Sequence, residues 1–423
     1  MLKELLSKRN LNLAYLQVYR NKGIGGVDGV QIEELKSILQ TQGDALKSQI
    51  AQGSYVASPI FGVAIPKSNG KTRLLGIPTV TDRVFQQGLH QVFQPIFEKE
   101  FQRHSYGFRP KRNTHQALSQ SKESINSGYQ YIVDIDLKNF FDQVSHDLLL
   151  GLIYSRVKCD KTMKLLRSFL KAPILLNGKL HKRRKGVPQG SPLSPLLSNI
   201  ILNELDKELE SRGHKYVRYA DDFSIYLKSQ KAAERVMKSI VHYLEAKLQL
   251  PINREKSGIR RPISFTLLGH GFVPTYKKGG KGKYQLVVAR RSWQSFKKKL
   301  KHLTRKTTPM SFDERTSRIN LAIRGWVNYF KHASIDVKLK HLDEWLRNRL
   351  RYCIWHHWKR VERKRKNLIR LGINPGQAYA WSRTRMGGWA VAQSPILRTT
   401  ITINRLKKRG YISLVEYYRE RHH

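Results

Sequence analysis

A chain of 423 residues is long enough for about three domains, and its 40% hydrophobic content, with no long Ser/Gly tract or acidic tail, excludes a disordered protein. Lys and Arg number 79 against 31 Asp and Glu, a formal charge of +48; such a field opposes compaction unless a polyanion is the usual partner, so nucleic acid is expected. The N-terminus is too polar for a signal peptide, no apolar run approaches the ~18 residues that span a bilayer, and two distant cysteines, Cys159 and Cys353, suggest neither a four-Cys zinc site nor a disulfide framework. A cytoplasmic protein with no membrane partner is therefore expected.

Short amphipathic helices flank a Gly-rich loop, Gly23 to Gly29. Phe61 to Ile65 reads as a strand, Pro66 to Gly70 as a turn and Thr72 to Ile77 as the returning strand of a basic hairpin. Tyr129 to Leu137 is β-branched and aromatic, hence a strand. Ser145 offers an N-cap ahead of a helix at Leu148–Val157. Pro192 to Leu209 has helical periodicity, with Leu193, Leu196, Leu197, Ile200, Ile201 and Leu205 on one side. Tyr216–Arg218 and Phe223–Leu227 are short strands around a hairpin turn, Tyr219-Ala-Asp-Asp222. Strands and helices mix without regular βαβ alternation, which predicts an α+β fold. Beyond Pro274 the texture changes. Gly-Lys turns at Lys277–Lys283 read as a linker, and the last 153 residues carry a net +29, with all seven tryptophans beyond residue 290.

Extending a nucleic-acid strand needs two divalent cations, one for the attacking 3′-hydroxyl and one for the leaving pyrophosphate. Hard cations want carboxylate oxygens. Asp136 on a strand and Asp221-Asp222 in a hairpin turn supply them. Two adjacent aspartates in a turn are by themselves an ordinary polar turn. Here an apolar strand enters the turn, another leaves it, and Val133-Asp-Ile-Asp-Leu137 lies about 85 residues upstream.

Three segments stand in order along the chain: Val133-Asp-Ile-Asp-Leu-Lys-Asn-Phe-Phe-Asp142, Val187-Pro-Gln-Gly-Ser-Pro-Leu-Ser-Pro-Leu-Leu-Ser-Asn199 and Tyr219-Ala-Asp-Asp222. On these the chain resembles reverse transcriptases, specifically the group II intron-encoded reverse transcriptase–maturases. Further matches are Ile65-Pro-Lys67, Arg73 to Pro78, Tyr106-Gly-Phe-Arg-Pro110, Asn253-Arg-Glu-Lys-Ser257, Leu268-Gly269 and Gly325-Trp-Val-Asn-Tyr-Phe330. It implies a right-hand polymerase with fingers and palm over 1–275, a helical thumb or maturase domain over 276–365, and a small basic DNA-binding-like domain over 366–423. It implies RNA-directed DNA synthesis on group II intron RNA with a DNA primer or target and dNTPs, and RNA binding that assists splicing and mobility. Asp136, Asp221 and Asp222 would hold two Mg²⁺ ions, with Mn²⁺ as a substitute. Phe141, five residues after Asp136, would gate the sugar; otherwise it is a core aromatic beside Phe140. Lys67 and Arg73 would hold the triphosphate, or else decorate an exposed hairpin. Gln189 would lie against the nascent base pair, with Gly190 allowing close backbone approach. Where many members read Gly-Gly, this chain has Gly190-Ser191, for which tuning rather than loss is expected. Asp134 is expected to point away from the site, as a structural residue or as the answer to nearby basic side chains.

Arg347, Arg349, Arg351, Lys359, Arg360, Arg363, Lys364, Arg365 and Lys366, interleaved with Trp345, Trp355 and Trp358, form a basic helical stretch. Cations bind phosphates and aromatics stack on bases, so RNA docking is expected, centred on Arg360, Arg363, Lys364, Arg365 and Lys366. Trp326 and Trp345 are expected in the core. Ser382 to Trp389 is similar to the family's DNA-binding region. The chain ends at 423 without paired cysteines, so no His-Asn-His endonuclease is expected. A reverse transcriptase of retron or CRISPR-associated lineage and a splicing-only maturase remain the alternatives, and oligomeric state stays open.

Overall fold

The computed structural model describes residues 1–66, 70, 72–275 and 282–422. The chain forms two compact units, Met1–Arg261 and Pro262–His423.

In the first unit, the basic hairpin forms as β1 (Ile60–Pro66) and β2 (Thr72–Ile77), paired antiparallel from Phe61–Ile77 to Pro66–Thr72. β4 (Ile174–Leu176) adds to β1 in parallel and β5 (Lys179–His181) completes the order β2-β1-β4-β5. Lys67 lies outside the described residues. A second sheet has the order β6-β7-β3-β8, from β3 (Tyr131–Ile135), β6 (Lys215–Tyr219), β7 (Asp222–Leu227) and β8 (Gly258–Arg260), with every pairing antiparallel. Ile132, Val133, Ile135 and Ile225 are buried in it.

Helices cover these sheets. Val80–Phe97 starts at Thr79, whose hydroxyl accepts from the Asp82 amide, and buries Val84, Phe85, Leu89, Val92 and Phe93. Asp82 is itself buried and accepts from Tyr55 Oη at 2.7 Å and Thr79 Oγ1 at 2.9 Å. Thr114–Asn126 opens with a reciprocal capping box between Asn113 and Gln116. The helix expected after Pro192 runs Ser194–Ser211 and buries Leu196, Leu197, Ile200, Ile201 and Leu205 as the periodicity predicts. His146–Val157 follows Ser145, whose side chain makes no cap bond.

The second unit opens with a three-stranded sheet, β9 (Thr266–Leu267), β10 (His270–Pro274) and β11 (Tyr284–Val288), in the order β11-β10-β9. The linker expected at 277–283 falls partly on residues outside the described set. The strands on either side of it pair antiparallel, and the Thr275 amide donates to Lys283 O at 2.8 Å, so the segment joins two strands of one sheet. Helices Arg290–Leu303, Phe312–Phe330, Asp336–His357 and Val361–Arg370 follow, with shorter helices to Arg421. One core runs through all of them, from Val288 and Phe296 through Ile323, Leu339 and Leu350 to Leu368, Val391, Leu406 and Tyr418.

Candidate active site

The register of β3 against β7 places Ile135 opposite Phe223. One more step along both strands brings Asp136 opposite Asp222. Directly opposed residues of an antiparallel pair have Cα atoms about 4.5–5.5 Å apart. Asp222 pairs with Tyr219 across the β6–β7 hairpin, leaving Ala220 and Asp221 as its loop. Sequence spacing alone could not show this juxtaposition.

The three carboxylates feel one another. Solvent reaches Asp222, yet protein surrounds its carboxyl; burial, then the charges of Asp221, Asp136 and Asp134, push it up to about 6. Asp221 is also raised, chiefly by burial; Arg73 opposes the rise and Asp136 adds to it. Like charges held together resist ionisation unless a cation joins them, and the donors are hard oxygens suited to Mg²⁺ or Mn²⁺. The donor chemistry therefore fits a divalent cation. Among the described residues, no group of three or more His, Cys, Asp or Glu stands close enough together to hold a metal ion, so the three carboxylates would have to draw in around one.

Asp134 does not face away as expected. Strand side chains return to the same face every second residue, so Asp134 and Asp136 share a side, and the field of Asp134 reaches Asp222. The other half of that expectation holds: Arg260 Nε donates to Asp134 Oδ2 at 2.8 Å.

The turn carrying Asp221 is braced from beneath by groups that motif reading missed. Ala220 sits at φ +59°, a strained setting for a residue with a Cβ. Arg218, fully buried, donates from Nη1 to Ala220 O at 3.0 Å and to Asn199 Oδ1 at 2.9 Å, while its Nε donates to Asp206 Oδ1 at 2.8 Å. Asp206 is equally buried. Asn199 Nδ2 reaches Gly107 O at 2.9 Å, and a Cβ on Gly107 would stand 2.2 Å from Ala220 N. Thus Gly107 of the Tyr106-Gly-Phe-Arg-Pro110 motif and Asn199, at the end of the Val187–Asn199 tract, converge under the aspartate turn. The available signal was Asp206 at helical spacing with Leu202, Leu205 and Leu209, which puts a carboxylate on the apolar face of its helix.

Arg73 on β2 donates to Gln189 Oε1, and its charge acts on Asp221, so Arg73, Gln189 and Asp221 are brought together. Gly76 N donates to Gln189 O at 2.8 Å. Gly190 sits at φ +124°, and a Cβ there would meet Gly76 O at 2.6 Å, so only glycine fits the seam. The neighbouring Ser191 is buried and donates to Gln86 Oε1 at 2.8 Å, which gives that departure a structural use. Phe141 stands at the edge of the core: partly exposed, edge-on to the buried Phe140 at 5.2 Å, its carbonyl accepting from Val187 N at 2.7 Å.

In the second unit the basic residues divide. The buried Arg351 donates to Ile401 O and is an internal strut, contrary to its expected place in an RNA-facing stretch, while the partly exposed Arg349 donates to Thr304 O and Thr304 Oγ1. Arg347 lies 3.4 Å from Asp343. Arg360, Arg363 and Lys366 are exposed, Lys364 covers the face of Trp355 at 4.5 Å, and Arg365 pairs with Glu362. Trp326 stacks on Phe296 at 4.3 Å against the core, and Trp345 packs on the same core under Lys297 and Arg349. No helix among the described residues is long and apolar enough to cross a membrane.

Comparison with known proteins identifies two family domains in the chain. The family described as "Reverse transcriptase (RNA-dependent DNA polymerase)" matches residues 65–272, and "Group II intron, maturase-specific domain" matches 293–372. Protein YkfC of Escherichia coli is 32% identical over 64% of this chain and 81% of its own length. The group II intron-encoded protein LtrA of Lactococcus lactis is 33% identical over 63% of this chain and 46% of its own, so the chain spans less than half of that relative. Among solved structures, a partial Cas6-RT-Cas1–Cas2 complex is similar over 58% of this chain and 42% of that one, at 24% identity and a TM-score of 0.37. An RNA-dependent DNA polymerase domain followed by a maturase-specific domain places the chain in the group II intron reverse transcriptase–maturase family.

Proposed function

We propose that the chain copies group II intron RNA into cDNA by nucleotidyl transfer at Asp136, Asp221 and Asp222. The observation that carries this reading is the β3–β7 register, which sets Asp136 opposite Asp222 with Asp221 in the adjoining turn. These carboxylates would hold two Mg²⁺ ions, or Mn²⁺ in their place. Bound there, such ions supply charge to activate the primer hydroxyl and to neutralise the departing pyrophosphate. The protein's part is placement. Asp206 and Arg218 hold the turn, Arg73 offers guanidinium donors to the triphosphate, joined by Lys67 from the other end of the same hairpin sequence, and Gln189 and Gly190 line the base pair being formed. Phe141 closes against the sugar of the incoming dNTP.

In this reading β1–β2 belong to the fingers, the β6-β7-β3-β8 sheet to the palm, and residues 1–275, 276–365 and 366–423 divide the work as polymerase hand, thumb or maturase surface, and basic DNA-binding segment. The last two share one core, so the division is one of role. Arg360, Arg363, Lys364, Arg365 and Lys366 would dock intron RNA and assist splicing and mobility, alongside a DNA primer or target. A cytoplasmic ribonucleoprotein is the setting this implies. The test is the double substitution Asp221→Ala/Asp222→Ala. Primer extension on an RNA template should vanish while RNA binding persists; robust extension by this variant would remove the proposed site.

A further inference from the structure

The segment Asn253-Arg-Glu-Lys-Ser257 closes around Asp136 from the side opposite the aspartate turn. The Asp136 amide donates to Ser257 Oγ at 3.0 Å, and Asn253 N donates to Asp136 O at 2.7 Å. Lys138 N donates to Pro251 O at 2.8 Å, which ties the loop to the chain just beyond the strand. These bonds fix the Asp136 backbone. Two further groups address its carboxylate, both at the same oxygen: Asn253 Nδ2 at 3.0 Å and Lys256 Nζ at 3.4 Å from Oδ2. The amide is short and held by its own backbone. The ammonium rides on a long, exposed stem and can leave.

The two contacts therefore differ in kind. Asn253 orients Asp136 and asks nothing of its charge. Lys256 supplies a positive charge beside a carboxylate that faces two others, and its field also reaches Asp222. We propose that Lys256 is a resident counter-ion of the three-aspartate site, a positioning residue that holds Asp136 ready in the metal-free protein and is displaced from Oδ2 when a divalent cation binds. This inference rests on the proposed aspartate site. It assigns a function to the Asn253–Ser257 motif: the amide and the hydroxyl hold the ligand in place, and the lysine makes empty-site repulsion tolerable at the expense of metal affinity.

A displaced counter-ion competes with the metal, so removing it should tighten metal binding, which no purely structural lysine would do. The readout is Fe²⁺-mediated backbone cleavage of the full chain in the presence of ascorbate, with fragments mapped by mass and the Fe²⁺ midpoint recorded. In the unaltered protein, cuts should cluster near residues 136 and 221, and Asp136→Asn should suppress them. Lys256→Met should lower the midpoint by about two- to fivefold, the scale of one exposed charge pair. Lys256→Arg should restore it. Cuts near 136 and 221 with an unchanged or raised midpoint in Lys256→Met would overturn the counter-ion while leaving the aspartate site standing. Absence of cuts at those positions in the unaltered protein would overturn the site itself.

Discussion

Asp206→Ala removes the carboxylate from the buried pair beneath the aspartate turn and leaves the Arg218 guanidinium with no opposing charge. Both side chains have no exposure in the folded protein, so water cannot compensate. Breaking a buried pair by deleting one partner costs about 3–5 kcal/mol, because the survivor stays desolvated. Total domain stability is on the order of 5–15 kcal/mol, so the loss should be large but survivable. The chain has two compact units, and a single global unfolding curve would mix them. Native-state hydrogen exchange resolved by peptide avoids this. Peptides within 199–227 should lose about 3–5 kcal/mol of opening free energy, and peptides within 312–357 should be unchanged. The double substitution Asp206→Leu/Arg218→Met should recover much of the stability, since apolar replacement of a whole buried pair is often neutral. It should not recover primer extension, because the donor to Ala220 O is gone and the turn loses its anchor. Protection of 199–227 in Asp206→Ala within about 1 kcal/mol of the unaltered protein, below the range for a broken buried pair, would refute this account.

Protons should compete with metal at Asp222, whose pKa is raised from 3.8 to about 6. A raised carboxyl contributes stability below its unfolded pKa and loses that contribution as pH rises through about 6. The metal-free first unit should therefore weaken over that window, and the thermal shift produced by Mg²⁺ should grow; a Mg²⁺ shift equal at pH 5 and pH 7.5 would contradict this. If Phe141 closes on the sugar, Phe141→Ala should raise the ratio of rNTP to dNTP incorporation, whereas an unchanged ratio would return Phe141 to a packing role. Replacing the exposed Arg360, Arg363 and Lys366 with Gln should flatten the dependence of log RNA affinity on log salt by about 0.7–0.9 per lost phosphate contact. Extension at saturating simple template should stay near normal; lost extension with an unchanged slope would mark the cluster as structural.

The elements nearest the site were legible because their signals are local. The Tyr219–Asp222 turn, the basic hairpin and the helix after Pro192 each carry their own period or turn residues. What differs has physical causes. Asp134 shares the face of Asp136 because strand side chains return to one side every second residue. Arg351 reads as a solvent-facing cation because charge alone does not show that the backbone carbonyl of Ile401 awaits it. Asp206 and Arg218 went unnoticed because neither belongs to a metal-binding pattern; only the folded chain shows that the two lie together under Ala220. The Lys277–Lys283 segment read as a linker because glycine and lysine look alike in hairpin loops and between domains.

The undivided core of the second unit limits how such a protein can be remodelled. Leu368, Val391, Leu406, Leu414 and Tyr418 pack with Ile319, Leu339 and Leu346, and Asp343 on the long helix accepts hydrogen bonds from Tyr411 Oη and Leu414 N, both at 2.8 Å. A cut at the end of the maturase-specific match would strip one wall from that core and leave Asp343 buried without two of its donors. Chimaeras that exchange tails between related proteins should therefore succeed when the whole segment Pro262–His423 travels together, and should aggregate when the junction is set inside it. The intact piece to exchange is therefore Pro262–His423, whose first residue lies far upstream of where the basic tail begins.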